Sequence, residues 1–560
     1  MKSISNELIG LIEMAISASE YGGEEIALTI PDEQFGDFAT NIALVVSKKT
    51  GEVPRKTAEK IRNILLQNSD VLQIVTEINI AGPGFINFVL KHEFYLKELC
   101  KITTEENIGK SLDFEAKTAV IDYSSPNIAK RFGIGHLRST VIGQAIYNLL
   151  KSQGYKVIGI NHLGDWGTQF GKLMVALKKW NTRPITELSF SELESYYVRF
   201  HQEAELDATL VIEAREAFKR LEDGEVKERK IWKELIHISL EEFDKIYDLL
   251  NVHIDETIGE SFYLDKLETV VSDAKNKGIL EESQGAQIVR FPDEDLTPAL
   301  LKKSDGASTY CLRDLAAIRY RKERWNPDLY IYEVGSEQKL HFEQVFRVAT
   351  RLGYGTLDQF IHIAHGEIRT KEGRMSTRKG NTIKLDDVIN KLIEKASILS
   401  PDKESAIKVG LGALKYNDLK RSPSSGYVFD WDEMLSLEGN TGPYLQYAYV
   451  RTTGVLEKSE IRDINPLGNN EFNQDELRVI KKICQFPDIT LEATKKLYPP
   501  ILCNYLYNLS QLYNTFYNNN PIIKAESLEK IKLRLALTKA TRIVLHNGMD
   551  ILGIPTVQRM

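Results

Sequence analysis

The sequence is poor in cysteine and has no excess of positive charge. Its four cysteines are Cys100, Cys311, Cys484 and Cys503; they form no C-x-x-C pair and lie too far apart to indicate a zinc cluster or a disulfide framework. Lys and Arg number 72 against 79 Asp and Glu, a net charge of −7, which argues against binding nucleic acid through bulk positive charge. We therefore expect a cytoplasmic protein that meets any polyanionic partner through a local basic track.

Long hydrophobic runs are also missing. The longest uncharged stretch, residues 497–523, holds six Asn, one Gln and three Pro, which a lipid bilayer would not accept. At the N-terminus, Glu7 and Glu13 stand among apolar residues at helical spacing, so this segment predicts an amphipathic helix rather than a signal peptide. We expect no membrane span and no membrane partner.

What is present is enough chain for several globular domains: 560 residues, 42% hydrophobic and 27% charged. Residues 1–112 mix helical segments with short strand-like runs and predict an α+β domain. Between 118 and 160 a strand, an amphipathic helix and a second strand follow one another, which predicts a βαβ unit and hence a parallel sheet. The fold class is therefore α/β. A Rossmann-type parallel-sheet domain spans 113–430, with a helical insertion at about 175–255 and a connecting stem from about 390, and an all-α domain spans 431–560.

The first segment that could carry chemistry lies between this strand and its helix, over residues 124–136. Ligands bind at this edge of a parallel sheet. Gly133 and Gly135 permit close backbone approach, the helix N-terminus presents N–H groups, and His136 can donate to a phosphate oxygen. The segment predicts nucleotide phosphate binding. The alternative is a glycine-containing turn with a surface histidine.

Two further segments are candidates. Residues 374–380 (RMSTRKG) form a basic loop whose cations suit a transferring phosphoryl group, unless it is only a solvated basic turn. Tyr310 and Asp314 would stand one helical turn apart if TYCLRDLAAIRYR is helical. A second interpretation is that Asp314 caps the helix DLAAIRYR, and the two interpretations do not exclude each other.

Together these segments resemble the arginyl-tRNA synthetases, a family of class I aminoacyl-tRNA synthetases, over nearly the whole chain. SSPNIAK followed by GIGHLRST resembles the His-x-Gly-His signature region, NHLGDWGTQFG the block after the second strand, and MSTRKG the Lys-Met-Ser-Lys loop. GDFATNIA and GPGFINF resemble the N-terminal domain that binds the tRNA elbow. NTGPYLQYAYVR and VLHNGMDILGIP resemble the anticodon-binding domain.

The resemblance implies that arginine and Mg-ATP give arginyl adenylate and pyrophosphate, and that the arginyl group then passes to the terminal ribose of the tRNA. Implied substrate-binding residues are Asp314 and Glu260 at the guanidinium, Tyr310 beside it, and Asn127 and Gln338 at the amino and carboxylate end. Implied ATP-binding residues are Gly133, Gly135, His136, Met375, Ser376 and Thr377, and implied catalytic residues are Lys130, His136 and Arg378. Mg²⁺ arrives with ATP, no protein metal site is expected, and we expect a monomer.

Two positions depart from the family pattern. Gly133 stands at the first signature histidine, and Thr377 at the second lysine of the Lys-Met-Ser-Lys loop, whose first lysine is Arg374. In the family, the lysine at the position of Lys130 is thought to replace the missing one. The departures motivate a rival interpretation, a regulatory paralogue that binds tRNA or arginine. A third, a small-molecule nucleotidylyltransferase, leaves the C-terminal helices unexplained.

Overall fold

The computed structural model describes residues 3–370, 373–374, 385–400, 402–466 and 471–560. The chain divides into two compact units. The terminal unit joins residues 1–111 with 436–551 and 555–560, and the central unit contains residues 112–435 and 552–554.

The first part of the terminal unit mixes helices with an antiparallel sheet, as the sequence predicts. Its elements are α1 (Ile4–Ile16), β1 (Leu28–Thr29), β2 (Phe38–Thr40), α2 (Ile42–Thr50), α3 (Pro54–Leu65), α4 (Ser69–Ile74), β3 (Val75–Ala81), β4 (Phe85–Leu90) and α5 (His92–Thr104), with a 3₁₀ turn at Glu33–Phe35. The strand order is β1-β2-β4-β3. The predicted amphipathic helix is α1: Ser3 caps its N-terminus and Leu8, Ile12 and Ile16 are buried.

The central unit contains a parallel five-stranded sheet with helices around it. Its elements are β5 (Thr118–Asp122), α6 (Ile134–Ser152), β6 (Lys156–Asn161), α7 (Thr168–Trp180), α8 (Phe190–Leu206), α9 (Thr209–Glu222), α10 (Val226–Leu249), β7 (Glu256–Thr257), α11 (Leu267–Asn276), β8 (Glu281–Ser283), β9 (Ala286–Val289), β10 (Ala299–Lys302), α12 (Tyr310–Trp325), β11 (Leu329–Gly335), α13 (Lys339–Leu352), β12 (Phe360–His365), β13 (Ile368–Thr370), β14 (Gly373–Arg374), α14 (Leu385–Ala396), α15 (Lys403–Leu419), β15 (Tyr427–Val428) and α16 (Trp431–Leu435). 3₁₀ turns cover Ile185–Glu187, Glu260–Lys266, Ser336–Gln338 and Leu357–Gln359. The sheet order is β12-β11-β5-β6-β7.

The parallel register places the carboxyl ends of the strands at one edge of this sheet. Asp122, near the end of β5, pairs with Ile160 in β6 and with Tyr332 in β11, and Gly335 pairs with His365 at the end of β12. The segments that follow these strands therefore begin side by side, where ligands bind in open parallel sheets. The predicted βαβ unit is confirmed as β5-α6-β6, and the predicted helical insertion as α8 to α10.

The second part of the terminal unit is helical, as the sequence predicts: α17 (Gly442–Lys458), α18 (Gln474–Cys484), α19 (Phe486–Lys495), α20 (Pro500–Asn519) and α21 (Leu528–Ile551). It packs directly on the first part of the same unit. Thr490 Oγ1 donates to Gly109 O at 2.9 Å, and Asn547 Nδ2 donates to Glu106 O and Ile108 O at 2.8 and 3.0 Å. The two ends of the sequence thus share one compact unit.

The short segment after α21 belongs to the central unit. Gly553 O accepts a hydrogen bond from the buried Lys415 Nζ at 2.6 Å, and Leu250 O accepts a second one. Desolvation lowers the pKa of Lys415 from 10.5 to about 8. Lys415 therefore ties the end of α10, helix α15 and residues 552–554 together inside the central unit.

Candidate functional site

The segment that follows β5 has a strained backbone. Ser124, Ser125 and Ala129 have φ values of 70°, 45° and 57°, in the left-handed region that side chains with a Cβ rarely adopt. Hydrogen bonds from Ser124 N to Ser139 Oγ (3.0 Å) and from Ala129 N to Ser239 Oγ (3.1 Å) hold this conformation. Such strain costs about 1 to 3 kcal/mol per residue and is concentrated at functional sites.

Asn127 lies where this segment meets the block after β6. It forms a parallel β-bridge with Gly164. A Cβ added at Gly164 would lie 2.4 Å from Asn127 Oδ1, so a larger residue there would displace the Asn127 side chain. The structure thus brings the predicted substrate-binding Asn127 beside the NHLGDWGTQFG block.

His136 lies in the first turn of α6, at the N-terminus of the helix. Its Nδ1 accepts a hydrogen bond from Gly133 N at 3.2 Å. Desolvation, followed by the nearby Lys130 and His365, lowers its pKa from 6.5 to about 4. The neutral ring therefore carries its proton on Nε2, which can donate to a ligand oxygen. Gly135, next to it, is exposed.

The predicted guanidinium-binding residues Tyr310 and Asp314 lie one turn apart on α12. The helix begins at Tyr310, and Thr309 caps it by accepting from Leu312 N. The alternative interpretation of Asp314 as a helix cap is therefore wrong. Asp314 Oδ2 lies 2.6 Å from His341 Nε2, and the Tyr310 side chain is largely exposed.

Glu260 is the first residue of the 3₁₀ turn Glu260–Lys266, and this turn brings it next to Arg313 and Asp314 on α12. Its Oε2 accepts from Arg313 Nη1 at 2.5 Å. Burial raises the pKa of Glu260; Arg313 and His162 oppose this, and Asp314 and Asp165 add to it. Glu260 and Asp314 are thus electrostatic neighbours, as the resemblance implies.

Asp165 is a residue that the sequence analysis did not assign. Its carboxylate accepts from Ser261 N at 2.8 Å and from Ser261 Oγ at 2.5 Å, and burial raises its pKa. A Cβ at Gly259 would fall 2.2 Å from Asp165 Cγ, so a glycine is needed for this approach. Asp165 therefore fixes the turn that carries Glu260. The signal in the sequence was a Gly-Asp pair close behind a buried strand.

Gln338 ends the 3₁₀ turn that follows β11, and its side chain is exposed. A cavity of about 540 Å³ lies beside this turn. Its lining comes from the segments after β11 and β12 and from β15: Ser336, Glu337, Glu367, Arg369, Gly426, Tyr427 and Val428. No sequence pattern indicates this cavity, because its walls come from three separate segments.

Arg138, also not identified from the sequence, is fully buried on α6. Its Nη1 donates to Gly366 O at 2.8 Å, and its Nε lies 3.3 Å from Asp418 Oδ1 on α15. Its guanidinium faces the Tyr427 ring at 5.3 Å. Arg138 therefore anchors α6 to the segment after β12.

Four predicted site residues, Met375, Ser376, Thr377 and Arg378, lie outside the described residues. Lys130 lies in the turn before α6 and is partly buried.

Within the described ranges there is no group of three or more His, Cys, Asp and Glu that could hold a metal ion. In the same part of the chain, none of the helices has the length and hydrophobicity needed to cross a membrane.

The helical part of the terminal unit has an aromatic and amide surface on α17 and α20. We call it the tyrosine surface, and it comprises Tyr444, Tyr447, Arg451, Tyr507, Gln511, Asn514 and Tyr517. The Arg451 guanidinium lies 4.8 and 4.9 Å from the ring centres of Tyr447 and Tyr517 and donates to Asn514 Oδ1 at 2.5 Å. Asn514 Nδ2 in turn donates to Tyr444 OH at 2.9 Å. Exposed rings of this kind suit nucleobase stacking.

Three family matches cover most of the chain. Residues 2–90 match "Arginyl tRNA synthetase N terminal domain", 98–431 match "tRNA synthetases class I (R), catalytic domain", and 445–560 match "DALR anticodon binding domain".

Curated relatives and solved structures agree over the full length. Arginine–tRNA ligase of Clostridioides difficile is 40% identical over 552 residues, 96% of each chain, and that of Clostridium botulinum is 37% identical over 99% of each. The crystal structure of the Plasmodium falciparum arginyl-tRNA synthetase superposes with a TM-score of 0.84 at 27% identity, covering all of both chains. That of Thermus thermophilus, at 22% identity and a TM-score of 0.85, covers all of both chains and shares the fold.

Proposed function

The chain belongs to the arginyl-tRNA synthetase family, and we propose from this membership that its site performs the two steps of an arginine–tRNA ligase. Arginine reacts with ATP to give arginyl adenylate and pyrophosphate, and the arginyl group is then transferred to the 3′-terminal adenosine of the tRNA. The single observation that carries the assignment of the site is the convergence of Glu260, Tyr310 and Asp314 beside the sheet edge that bears Asn127.

Arginine binds with its guanidinium between the carboxylates of Glu260 and Asp314, with Tyr310 beside it. A planar cation with five donors calls for such paired carboxylates. Asn127 and Gln338 hold the amino and carboxylate end. The support for Asn127 is its fixed position against Gly164, and the support for Gln338 is its place directly after β11.

ATP binds with its phosphates at the N-terminus of α6, where Gly133, Gly135 and His136 lie, and the loop with Met375, Ser376 and Thr377 completes this site. The adenosine part occupies the cavity of about 540 Å³ beside Gln338, a volume within the range of small-molecule pockets. Mg²⁺ is bound to ATP as part of this substrate.

The chemistry is a displacement at phosphorus followed by acyl transfer. An oxygen of the arginine carboxylate attacks the α-phosphorus of ATP, and the bond to the bridging oxygen of pyrophosphate breaks. His136 Nε2–H, Lys130 and Arg378 meet the negative charge that develops on the phosphate oxygens. A hydroxyl of the terminal ribose then attacks the carbonyl carbon, its proton is released, and AMP leaves with the electron pair.

The tRNA is read by separate parts of the chain. The tyrosine surface stacks on bases of the anticodon, which explains how an acidic protein binds RNA without bulk positive charge. Residues 1–112 bind the tRNA elbow, 113–430 form the catalytic domain, and 431–560 form the anticodon-binding domain. The enzyme acts as a monomer in the cytoplasm.

The decisive experiment is aminoacylation of total tRNA with each amino acid in turn, together with ATP–pyrophosphate exchange. We expect charging with arginine alone and exchange that needs both arginine and tRNA. Binding of tRNA or arginine without exchange would contradict the proposal and support a regulatory paralogue.

A further inference from the structure

Arg313 stands inside the site that receives the substrate guanidinium. Its Nη1 lies 2.5 Å from Glu260 Oε2, and the two side chains are only 13% and 14% exposed. Its guanidinium carbon lies 4.6 Å from the centre of the Tyr310 ring. A cation of the chain itself therefore contacts two of the three residues assigned to the guanidinium of arginine.

Among the described residues, the carboxylates of Glu260 and Asp314 each have one side-chain partner that offers a guanidinium or imidazole nitrogen. Glu260 Oε2 is held by Arg313, and Asp314 Oδ2 is held by His341. The second oxygen of each carboxylate, Oε1 and Oδ1, has no such side-chain partner within that part of the chain. One oxygen of each carboxylate is thus anchored while the other is left for a ligand.

The electrostatic surroundings of Glu260 make its anchor important. From α12 it faces Arg313 and Asp314, and from the segment after β6 it faces His162 and Asp165. His341 on α13 faces Asp314. Burial and the two neighbouring carboxylates favour the protonated form of Glu260, and Arg313 is the strongest opposing group. A protonated Glu260 would lose the charge that a guanidinium needs.

We propose that Arg313 is a positioning residue for arginine binding, which holds one oxygen of Glu260 so that the other faces the guanidinium of the substrate. This inference rests on the proposed function. Arg313 is not a competitor of the substrate, because it contacts Glu260 through a single nitrogen at Oε2 and leaves Asp314 to His341.

The test compares Arg313→Gln, which removes the charge, and Arg313→Lys, which keeps it with a different donor geometry. The matched control is Arg319→Gln on the same helix, whose guanidinium pairs with Asp273 and Glu323 away from the site. Arginine KM, ATP KM and kcat are measured by tRNA-dependent ATP–pyrophosphate exchange between pH 6 and 9.

We expect Arg313→Gln to raise the arginine KM about tenfold or more, as for a lost hydrogen bond to a charged group, with ATP KM unchanged. The increase should be larger at the low end of this pH range, because burial raises the pKa of Glu260 and Arg313→Gln removes the charge that opposes this most strongly. Arg313→Lys should fall between wild type and Arg313→Gln, and Arg319→Gln should match wild type. In a double-mutant cycle, adding Arg313→Gln to Glu260→Gln should cause little further loss, because the two residues act as a unit.

An unchanged arginine KM in Arg313→Gln, or additive losses in the cycle, would overturn the inference. A lowered KM would overturn it as well, since Arg313 would then compete with the substrate. If Arg313→Gln does not fold, Arg313→Lys decides: a raised arginine KM with normal ATP KM supports the proposal, and a wild-type KM refutes it. Failure of the proposed function is distinguishable, because the wild-type enzyme itself would then show no arginine-dependent exchange.

Discussion

The backbone N–H of Gly133 donates to Nδ1 of His136 at 3.2 Å, so the two signature positions are joined by a hydrogen bond. Gly133 stands where the family has its first signature histidine. The bond uses only the backbone of Gly133. Having glycine instead of the signature histidine at this position therefore leaves the ring of His136 fixed and neutral. The neutral ring then carries its N–H on Nε2, where it can act as a donor.

The first prediction concerns this donor. His136→Ala should lower kcat about 10²- to 10³-fold, the typical effect of removing one preorganised donor. His136→Gln, whose amide N–H reaches toward the Nε2 position, should retain more activity. Because the pKa of His136 is lowered to about 4, the ratio of variant to wild-type kcat should stay constant between about pH 5.5 and 8. A ratio that changes around pH 6.5 would show that His136 titrates.

The second prediction concerns substrate choice. Asp314→Asn keeps the shape of the side chain and its contact with His341 but removes the charge that meets the guanidinium. Losing one partner of a buried charge pair costs about 3 to 5 kcal/mol, so arginine KM should rise about a hundredfold or more. ATP KM, measured in the same exchange assay, serves as the internal control. A wild-type arginine KM would contradict the role of Asp314.

A third prediction addresses the missing lysine at Thr377. Lys130→Ala should lower kcat about 10²- to 10³-fold with arginine binding largely kept. Adding Thr377→Lys should partly restore the rate, because the two cations serve the same phosphates. The measurement is exchange with cognate tRNA present. A Lys130→Ala rate within about threefold of wild type would mean that no compensation takes place.

The fourth prediction tests the tyrosine surface. Deleting the C-terminal helices is not a clean test, since residues 1–111 pack with 436–551 in one compact unit. Tyr447→Ala instead removes one exposed ring. Stacking contributes about 1 to 3 kcal/mol per base, so tRNA KM should rise about 5- to 150-fold. Tyr447→Phe, which keeps the ring, should stay close to wild type; equal losses in both variants would point to the hydroxyl instead.

The fifth prediction concerns stability and pH at Lys415. Its pKa is about 8 in the folded chain and 10.5 ordinarily, so between these values the unfolded chain holds more protons. The contribution of Lys415 to the free energy of unfolding therefore rises with pH across this window, by about 2 kcal/mol from pH 7.5 to 9.5. Thermal melting should show that the Tm of wild type rises relative to the Tm of Lys415→Met over that range. A constant difference in Tm would mean that Lys415 does not titrate there.

Periodic patterns in the sequence predicted the fold class well. Apolar spacing predicted α1 and α6, and strand-like runs predicted β5 and β6, because these elements bury one face or both faces of a continuous segment. The convergence of Tyr310, Asp314 and Glu260 came from the family resemblance and not from spacing alone.

The residues that sequence analysis missed act over long separations. Asp165 holds Ser261, Arg313 holds Glu260, and Arg138 reaches Gly366 and Asp418. A buried arginine or aspartate has no periodic signature, since its role depends on partners that only the folded chain brings close. The shared unit of the two chain ends was missed for the same reason.

The composition of the terminal unit has a consequence for how the protein is made. Residues 1–111 leave the ribosome before residues 112–435, yet their packing partners in 436–551 leave it after them. At about 5 to 20 residues per second, synthesis of residues 112–435 takes roughly 16 to 65 s. During that time α21 and Thr490, which pack against α5 and the Gly109 turn in the folded protein, have not yet been made. The nascent N-terminal segment therefore exposes surface that the folded protein covers, and such transiently exposed surface is what chaperones protect.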